Sequence, residues 1–172
     1  PRRYETFKTM KAFIDYKKQA LFSMQLAEPI LKKHKVKLGV ENHKDLRSDE
    51  MVTILKTIDS EWIGVTLDFG NNIAILEDPL AVAENLAPYV FSTHIKDMAV
   101  DEYAHGFLLS EVPMGTGICD LRRMVEVCKK HNPNVSFNLE MITRDPLEIP
   151  VYSKDYWITF GDIPATDLSN MM

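Results

Sequence analysis

The sequence has few cysteines: Cys119 and Cys128 are the only two among 172 residues. Both lie in or beside a predicted helix, so no disulfide framework is indicated and we expect a reducing, cytoplasmic compartment. The sequence also has no apolar run near the roughly 20 residues that a bilayer-spanning helix needs, and it shows no signal-peptide pattern. These absences argue against a membrane protein and against a disulfide-stabilised secreted domain.

An excess of positive charge is also absent. Twenty-five acidic side chains face 20 basic ones, for a net charge of −5. This balance disfavours nucleic acid and anionic membrane surfaces as partners, because both carry negative charge. With 45% hydrophobic and 26% charged residues, the composition is typical of a globular domain. We therefore expect a small-molecule substrate that is neutral or bound to a metal.

Helix and strand patterns alternate along the chain. Apolar residues at three-to-four spacing predict one amphipathic helix from Tyr4 to about His34, and Ser48, Asp78 and Asp120 are the predicted caps of later helices. Runs of alternating polarity predict four strands, over residues 36–42, 64–68, 90–96 and 135–141. A loop insertion is expected around residues 97–117. The alternation predicts a parallel α/β fold.

One face of every predicted strand is small or polar, and its last residue is able to bind a metal. These four residues are Glu41, Asp68, His94 and Glu140. In a barrel this face points inward, and the carboxyl ends of the strands meet at one mouth. Three converging carboxylates would repel each other unless a cation lay among them. The pattern therefore predicts one divalent metal ion, with Mn²⁺, Mg²⁺ or Co²⁺ favoured and Zn²⁺ as an alternative.

At these residues the sequence resembles the sugar isomerase and epimerase group with the xylose isomerase-like TIM barrel. The resemblance runs from the first helix to about residue 147 and rests on five motifs, Val40-Glu41-Asn42-His43, Leu67-Asp68-Phe69-Gly70-Asn71, Thr93-His94-Ile95-Lys96-Asp97, Met114-Gly115-Thr116-Gly117 and Asn138-Leu139-Glu140. It implies an α/β protein with a (β/α)8 TIM barrel. It also implies that the four strand-end residues above, on strands five to eight of the barrel, bind one divalent metal.

The length predicts that only part of such a barrel is present. A complete (β/α)8 barrel takes about 250 residues, and only about four βα units are predicted here. We therefore expect residues 1–172 to be the C-terminal half of a single barrel domain. The chain starts with Pro1 and not with methionine, which agrees with a segment of a longer protein. Residues 145–172 are expected to be a C-terminal tail that wraps the barrel or contacts another copy in a homo-oligomer.

The resemblance implies enediolate chemistry on a sugar. A metal that holds a substrate carbonyl and the neighbouring hydroxyl acidifies the C–H bond between them, which allows isomerisation or epimerisation of a ketose. By this resemblance Glu41 and Glu140 are the acid/base pair. The same site also supports a lyase, either an inosose dehydratase or a 3-oxo acid decarboxylase. An inactive fragment is the third interpretation.

Four further residues are candidate substrate contacts. His43 has the same inward parity as Glu41, Lys96 follows the predicted metal histidine, and Arg144 lies four residues after Glu140. The competing interpretations are a solvated loop histidine for His43, an ordinary loop ion pair for Lys96 and a surface salt bridge for Arg144.

Asn71 is the fourth candidate, because it stands three residues after Asp68, where many epimerases of this group have a substrate-binding histidine. Endonuclease IV uses a histidine at that position and a later Asp-x-His pair for three zinc ions. Neither feature is present here, so cleavage of DNA is not expected. The sequence also has no glycine-rich phosphate cradle, which favours an unphosphorylated substrate.

Overall fold

The structure, a computed structural model, describes residues 1–142 and 144–169; Thr143 and the end of the predicted tail, residues 170–172, lie outside this part. The helices are α1 (Arg3–Thr6), α2 (Met10–His34), α3 (Ser48–Ile58), α4 (Pro79–Leu86), α5 (Leu121–His131) and α6 (Ala165–Ser169). The strands are β1 (Leu38–Glu41), β2 (Ile63–Asp68), β3 (Val90–Ile95), β4 (Asp97–Tyr103), β5 (Gly106–Val112), β6 (Ser136–Leu139) and β7 (Leu147–Ile149). Short 3-10 helices lie at Asn71–Ile75, Ala87–Tyr89 and Lys154–Thr159.

Four strands form a parallel sheet in the order β1-β2-β3-β6. Helix α3 connects β1 to β2, α4 connects β2 to β3, and α5 precedes β6. Parallel neighbours need such crossovers, because the chain must return to the same end of the sheet before each new strand. The predicted parallel α/β architecture and its four strands are confirmed.

The single helix predicted from residue 4 to residue 34 is in fact two helices. The chain leaves α1 at Phe7, whose ring is buried in the core. Helix α2 then begins after Thr9, whose side chain accepts a hydrogen bond of 3.1 Å from Ala12 N. The apolar spacing runs across this break, so periodicity alone does not locate it. Within the described residues, no helix is both long and apolar enough to cross a membrane.

The predicted loop insertion at 97–117 is a β-hairpin over most of its length. Strands β4 and β5 pair antiparallel from Asp97↔Val112 to Tyr103↔Gly106. Strand β7, from the predicted tail, pairs with the other edge of β5 and completes a three-stranded sheet. The prediction of a loop was therefore wrong. Strands β4 and β5 pair locally around a tight turn, and the second partner of β5, strand β7, lies about 40 positions away, beyond the reach of any local pattern.

Ser48 does not cap α3, contrary to the prediction. The cap position is Arg47, and Ser48 is the first helical residue. The Ser48 hydroxyl instead donates a hydrogen bond of 2.6 Å to the buried carboxylate of Glu77. A serine near a helix start can serve either purpose, and the position of Glu77 decides between them.

The segment after β7 packs on the body of the protein. The Tyr156 hydroxyl donates to Ala74 O at 2.9 Å, and its ring stacks on Phe160 with 4.9 Å between centroids. Arg3 Nη2 donates to Thr159 O at 2.6 Å. These contacts join the two ends of the described chain, while a contact of the tail with another copy stays a prediction.

Candidate metal centre

Four side chains from the ends of the parallel strands converge at one edge of the sheet. They are Glu41, Asp68, His94 and Glu140, and one ligand atom of each lies within 4.8 Å of those of the others. The register explains this convergence. Asp68 pairs directly with His94, while Glu41 pairs two residues before Asp68 and Glu140 follows two residues after the partner of His94. Even offsets place all four side chains on one face of the sheet.

Asp68 is the most rigidly held member of the group. Its Oδ1 accepts hydrogen bonds of 2.9 Å from Gly70 N and Asn71 N. The Asn42 amide pairs with both backbone groups of Asp68, at 2.7 Å to the N–H and 2.9 Å to the carbonyl. Burial raises the pKa of Asp68 above its ordinary value, although Lys96 opposes this effect. A neighbouring cation would therefore favour the ionised carboxylate.

Two buried atoms in the centre lack a hydrogen-bond partner among the described residues. Asp68 Oδ2 has Lys96 Nζ at 2.7 Å, an ion-pair distance, but no donor meets it at hydrogen-bond geometry. His94 Nδ1 lies 3.2 Å from Glu140 Oε2 and 3.8 Å from Glu41 Oε2, again without a hydrogen bond. The Lys96 ammonium offsets the burial of Asp68 Oδ2, whereas His94 Nδ1 has no hydrogen-bond partner in the described part of the chain, which costs about 1–3 kcal/mol that a bound cation would remove. The donor set thus fits a divalent ion held by three carboxylates and one imidazole.

Lys96 lies inside this cluster. Its ammonium is 2.7 Å from Asp68 Oδ2, 3.0 Å from Glu140 Oε2 and 3.9 Å from Glu111 Oε1. Burial by itself lowers the pKa of Lys96, but Asp68 and Glu140 outweigh it and the pKa lies above the ordinary value. Burial likewise raises the pKa of Glu140, but Lys96 and His94 outweigh it and bring that pKa below the ordinary value. Lys96 contacts carboxylates in this structure, and its contact with a substrate oxygen stays a prediction.

Arg144 reaches the same region from the segment after β6. Its Nη2 lies 3.1 Å from Glu111 Oε1, and its side chain is partly exposed. The Glu111 side chain is almost fully buried between Arg144 and Lys96. In the competing interpretation, in which Arg144 forms a salt bridge, its partner is Glu111. Contact of Arg144 with a substrate stays a prediction.

His43 and Asn71 have protein partners as well. His43 Nδ1 lies 3.1 Å from the carbonyl oxygen of Pro1. Asn71 Nδ2 donates to Glu41 Oε1 at 2.9 Å and to Asn42 O at 3.3 Å. The predicted substrate-binding position Asn71 is thus next to a proposed metal ligand. For both residues, binding of substrate stays a prediction.

Two residues of the centre were missed from the sequence. Lys44 lies in the loop after β1 and donates a hydrogen bond to Asn71 Oδ1, and burial lowers its pKa to about 8. Glu111 is the penultimate residue of β5, in the segment that was predicted as a loop. A loop has no periodicity from which the direction of a side chain can be inferred. For Lys44, the sequence offered one signal of proximity to the centre, its position three residues after Glu41.

Comparison with known proteins identifies the family. Residues 6–157 match the model of the xylose isomerase-like TIM barrel. The chain is 30% identical, over 120 residues, to 3-oxo-isoapionate decarboxylase of Pectobacterium atrosepticum, an alignment that covers 69% of this chain and 44% of the relative.

Solved structures share the fold. A xylose isomerase-like TIM barrel protein from Mycobacterium smegmatis, in complex with magnesium, superposes with a TM-score of 0.64 at 17% identity over 90% of this chain and 51% of that one. An L-ribulose 3-epimerase gives a TM-score of 0.57 at 12% identity over 90% and 50%. The chain thus spans about half the length of these relatives, as expected for four of eight βα units. It belongs to the xylose isomerase-like TIM barrel family.

Proposed function

We propose that the protein is a divalent-metal-dependent enzyme that acts on a small sugar-derived carbonyl compound. The observation that carries this proposal is the convergence of Glu41, Asp68, His94 and Glu140, among which the buried His94 Nδ1 has no hydrogen-bond partner in the described residues. A divalent ion bound there would polarise a substrate carbonyl and stabilise the negative charge that develops beside it. Mg²⁺, Mn²⁺ and Co²⁺ suit the oxygen-rich set, and the Mycobacterium smegmatis relative was solved with magnesium.

The charges around the centre favour an acid as substrate. The carboxylates are Glu41, Asp68, Glu111 and Glu140, and the cations are Lys44, Lys96 and Arg144. With a divalent ion, this set has one positive charge in excess, which an anionic substrate would balance. The whole chain is acidic, so this cationic character is local to the centre.

Decarboxylation of a 3-oxo acid is accordingly the first candidate reaction. The bond to the substrate carboxylate breaks, carbon dioxide leaves, and the electron pair stays on the carbon beside the carbonyl until a proton arrives there. No carboxylate is needed to remove a carbon-bound proton in this reaction. Decarboxylation is therefore compatible with the lowered pKa of Glu140, which makes this carboxylate a weak base. The 30% identity to a 3-oxo-isoapionate decarboxylase supports the same reaction.

Isomerisation or epimerisation of a ketose is the second candidate. It is favoured by the position of Glu41 and Glu140, whose Oε2 atoms lie 3.8 and 3.2 Å from the same His94 nitrogen. In this reaction one carboxylate removes a proton from the carbon next to the carbonyl, and one returns a proton to the substrate. Dehydration of an inosose begins with the same proton removal.

The cytoplasm is the proposed compartment, because both cysteines are free and buried.

Mass spectrometry of the products separates these reactions. The purified protein would be loaded with Mn²⁺ and incubated in D₂O with 3-oxo sugar acids, ketoses and inososes. Decarboxylation removes carbon dioxide and adds deuterium, dehydration removes water, and isomerisation conserves mass apart from deuterium uptake. We expect metal-dependent loss of carbon dioxide. Turnover of ketoses alone would contradict the decarboxylase assignment, and equal turnover in EDTA would contradict the metal-dependent mechanism.

A further inference from the structure

Lys44 is buried beside the centre without a carboxylate partner. Its side chain is almost inaccessible to solvent, and no ion pair to it is present among the described residues. A buried ammonium of this kind costs stability, as its lowered pKa of about 8 indicates. Its identified hydrogen bond is to Asn71 Oδ1. A costly group with one polar contact at the edge of a site indicates a functional role.

The hydrogen-bond chemistry fixes the orientation of the Asn71 amide. An ammonium only donates hydrogen bonds, so the amide oxygen must face Lys44. A carboxylate only accepts them, so the amide NH₂ must face Glu41, where Nδ2 lies 2.9 Å from Oε1. The backbone carbonyl of Asn42, 3.3 Å from the same nitrogen, requires the same orientation. All three neighbours therefore agree on a single orientation of the amide.

In this orientation the two carboxylate oxygens of Glu41 have different neighbours. Oε1 accepts the Asn71 hydrogen bond, while Oε2 faces His94 Nδ1 at 3.8 Å. Without Lys44, the amide oxygen would lose its donor, and the Asn71 amide would be held only by its hydrogen bonds to Glu41 and Asn42. The outer partners of metal ligands commonly set ligand orientation in this way, and their loss typically weakens metal binding about 10- to 100-fold.

We propose that Lys44 is a positioning residue that acts through Asn71 to hold Glu41 in its ligating orientation. This inference rests on the proposed metal centre. Lys44 forms no identified hydrogen bond or ion pair with the ligand cluster; its charge also acts on Asp68, but its contact with Glu41 passes through the amide. The series of contacts from Lys44 through Asn71 to Glu41 accordingly predicts that loss of Lys44 changes metal affinity. A lysine with a purely structural role would not have this effect.

Mn²⁺ titration calorimetry of a double-mutant cycle tests the proposal, with the variants Lys44→Met, Asn71→Leu and the combination of both. Each single variant should bind Mn²⁺ about tenfold more weakly than the wild type. The double variant should be no weaker than Asn71→Leu, because the contact of Lys44 with Glu41 passes through that amide. Lys17→Met is the control: Lys17 pairs with Glu50 at 2.9 Å, away from the centre, and its loss should leave affinity unchanged.

The outcomes are distinguishable. A wild-type protein that binds no Mn²⁺ would overturn the proposed metal centre itself. Wild-type affinity in Lys44→Met, or additive losses in the double variant, would overturn the role of Lys44 while the metal centre stands. If Lys44→Met does not fold, Asn71→Leu alone tests the link from the amide to Glu41. Unchanged Mn²⁺ affinity in that variant would refute the proposed role of Lys44, because the amide would then not position Glu41.

Discussion

Individual carboxylate oxygens in the centre have separate tasks. Asp68 Oδ1 and Glu41 Oε1 accept hydrogen bonds from backbone and amide N–H groups. The second oxygen of Glu41 lies 3.8 Å from His94 Nδ1, and that of Asp68 lies 2.7 Å from Lys96 Nζ. The oxygen that accepts hydrogen bonds anchors each side chain, which leaves the second oxygen as the candidate ligand. Orientation is thus set before any ion binds, which lowers the entropic cost of binding.

Replacing Asp68 with asparagine tests this division. Asparagine keeps an oxygen for the N–H groups of Gly70 and Asn71 but places an amide NH₂ where a ligand oxygen is required. We expect a folded protein whose Mn²⁺ affinity in titration calorimetry falls by more than the roughly 10- to 100-fold typical of outer partners. Asp78→Asn is the matched control, because Asp78 caps α4 through Ala81 N and asparagine caps equally well. Wild-type affinity in Asp68→Asn would show that the ion binds elsewhere.

Lys44 also predicts how stability depends on pH. Burial lowers its pKa from 10.5 to about 8, so in metal-free protein the unfolded chain holds this proton more tightly than the folded one. The contribution of Lys44 to the free energy of unfolding should therefore rise between about pH 8 and pH 10.5, by about 3 kcal/mol in total. Urea denaturation in EDTA at about pH 7 and about pH 10 measures it. Lys44→Met should lack this rise, and parallel pH profiles for both proteins would refute the assigned pKa.

At the scale of elements, one carboxylate ties the hairpin to the loop that follows it. Asp97, fully buried at the start of β4, accepts hydrogen bonds from Gly115 N at 2.8 Å and Gly117 N at 2.9 Å through Oδ2. Its Oδ1 accepts from Met98 N and Cys119 N. Gly115 has φ +86°, and a Cβ on Gly117 would lie 2.3 Å from Asp97 Oδ1. The two glycines are therefore required by a left-handed turn and by a close approach.

We expect Asp97→Asn to weaken this connection. The amide would present an NH₂ to one pair of backbone donors, which leaves them unsatisfied at a cost of about 1–3 kcal/mol. Urea denaturation should show the loss of stability, and hydrogen exchange should be faster at Gly115 and Gly117. Asp101→Asn, at an exposed position of the same strand, should change neither quantity. If both variants behave alike, the carboxylate of Asp97 does not hold the loop.

At the scale of the whole molecule, Arg3 connects the first helix to the C-terminal segment. Its guanidinium lies 2.8 Å from Glu50 Oε2 and donates to Thr159 through Nε at 3.1 Å and Nη2 at 2.6 Å. It also stacks over the rings of Phe13 and Phe160, at 3.9 and 4.4 Å from their centroids. Such a buried, fully bonded cation leaves several groups unpaired when it is removed.

Arg3→Met should therefore destabilise the entire chain, by about 1–3 kcal/mol, because the buried Thr159 carbonyl would lose its donor while Glu50 keeps Lys17. Chemical denaturation followed by circular dichroism measures this change, and tryptophan fluorescence combines the signal of Trp157, beside the same cluster, with that of Trp62. Arg2→Met is the adjacent control, since Arg2 forms a surface pair with Glu5 and its loss should cost less than about 1 kcal/mol. Equal stability of the two variants would mean that the C-terminal segment contributes little to the fold.

The sequence by itself determined the four parallel strands and the face on which Glu41, Asp68, His94 and Glu140 lie. Period-two alternation is a local property, and an even register offset then keeps every polar residue on one side of the sheet. Only the tertiary structure decided which groups surround that face. Lys44, Glu111 and the β4–β5–β7 sheet come from loops and distant segments, whose positions depend on packing and on hydrogen bonds between residues far apart in the chain. The net charge of the sequence similarly gave no indication of the local cations, because electrostatic interactions at a site depend on distance and burial and not on the total.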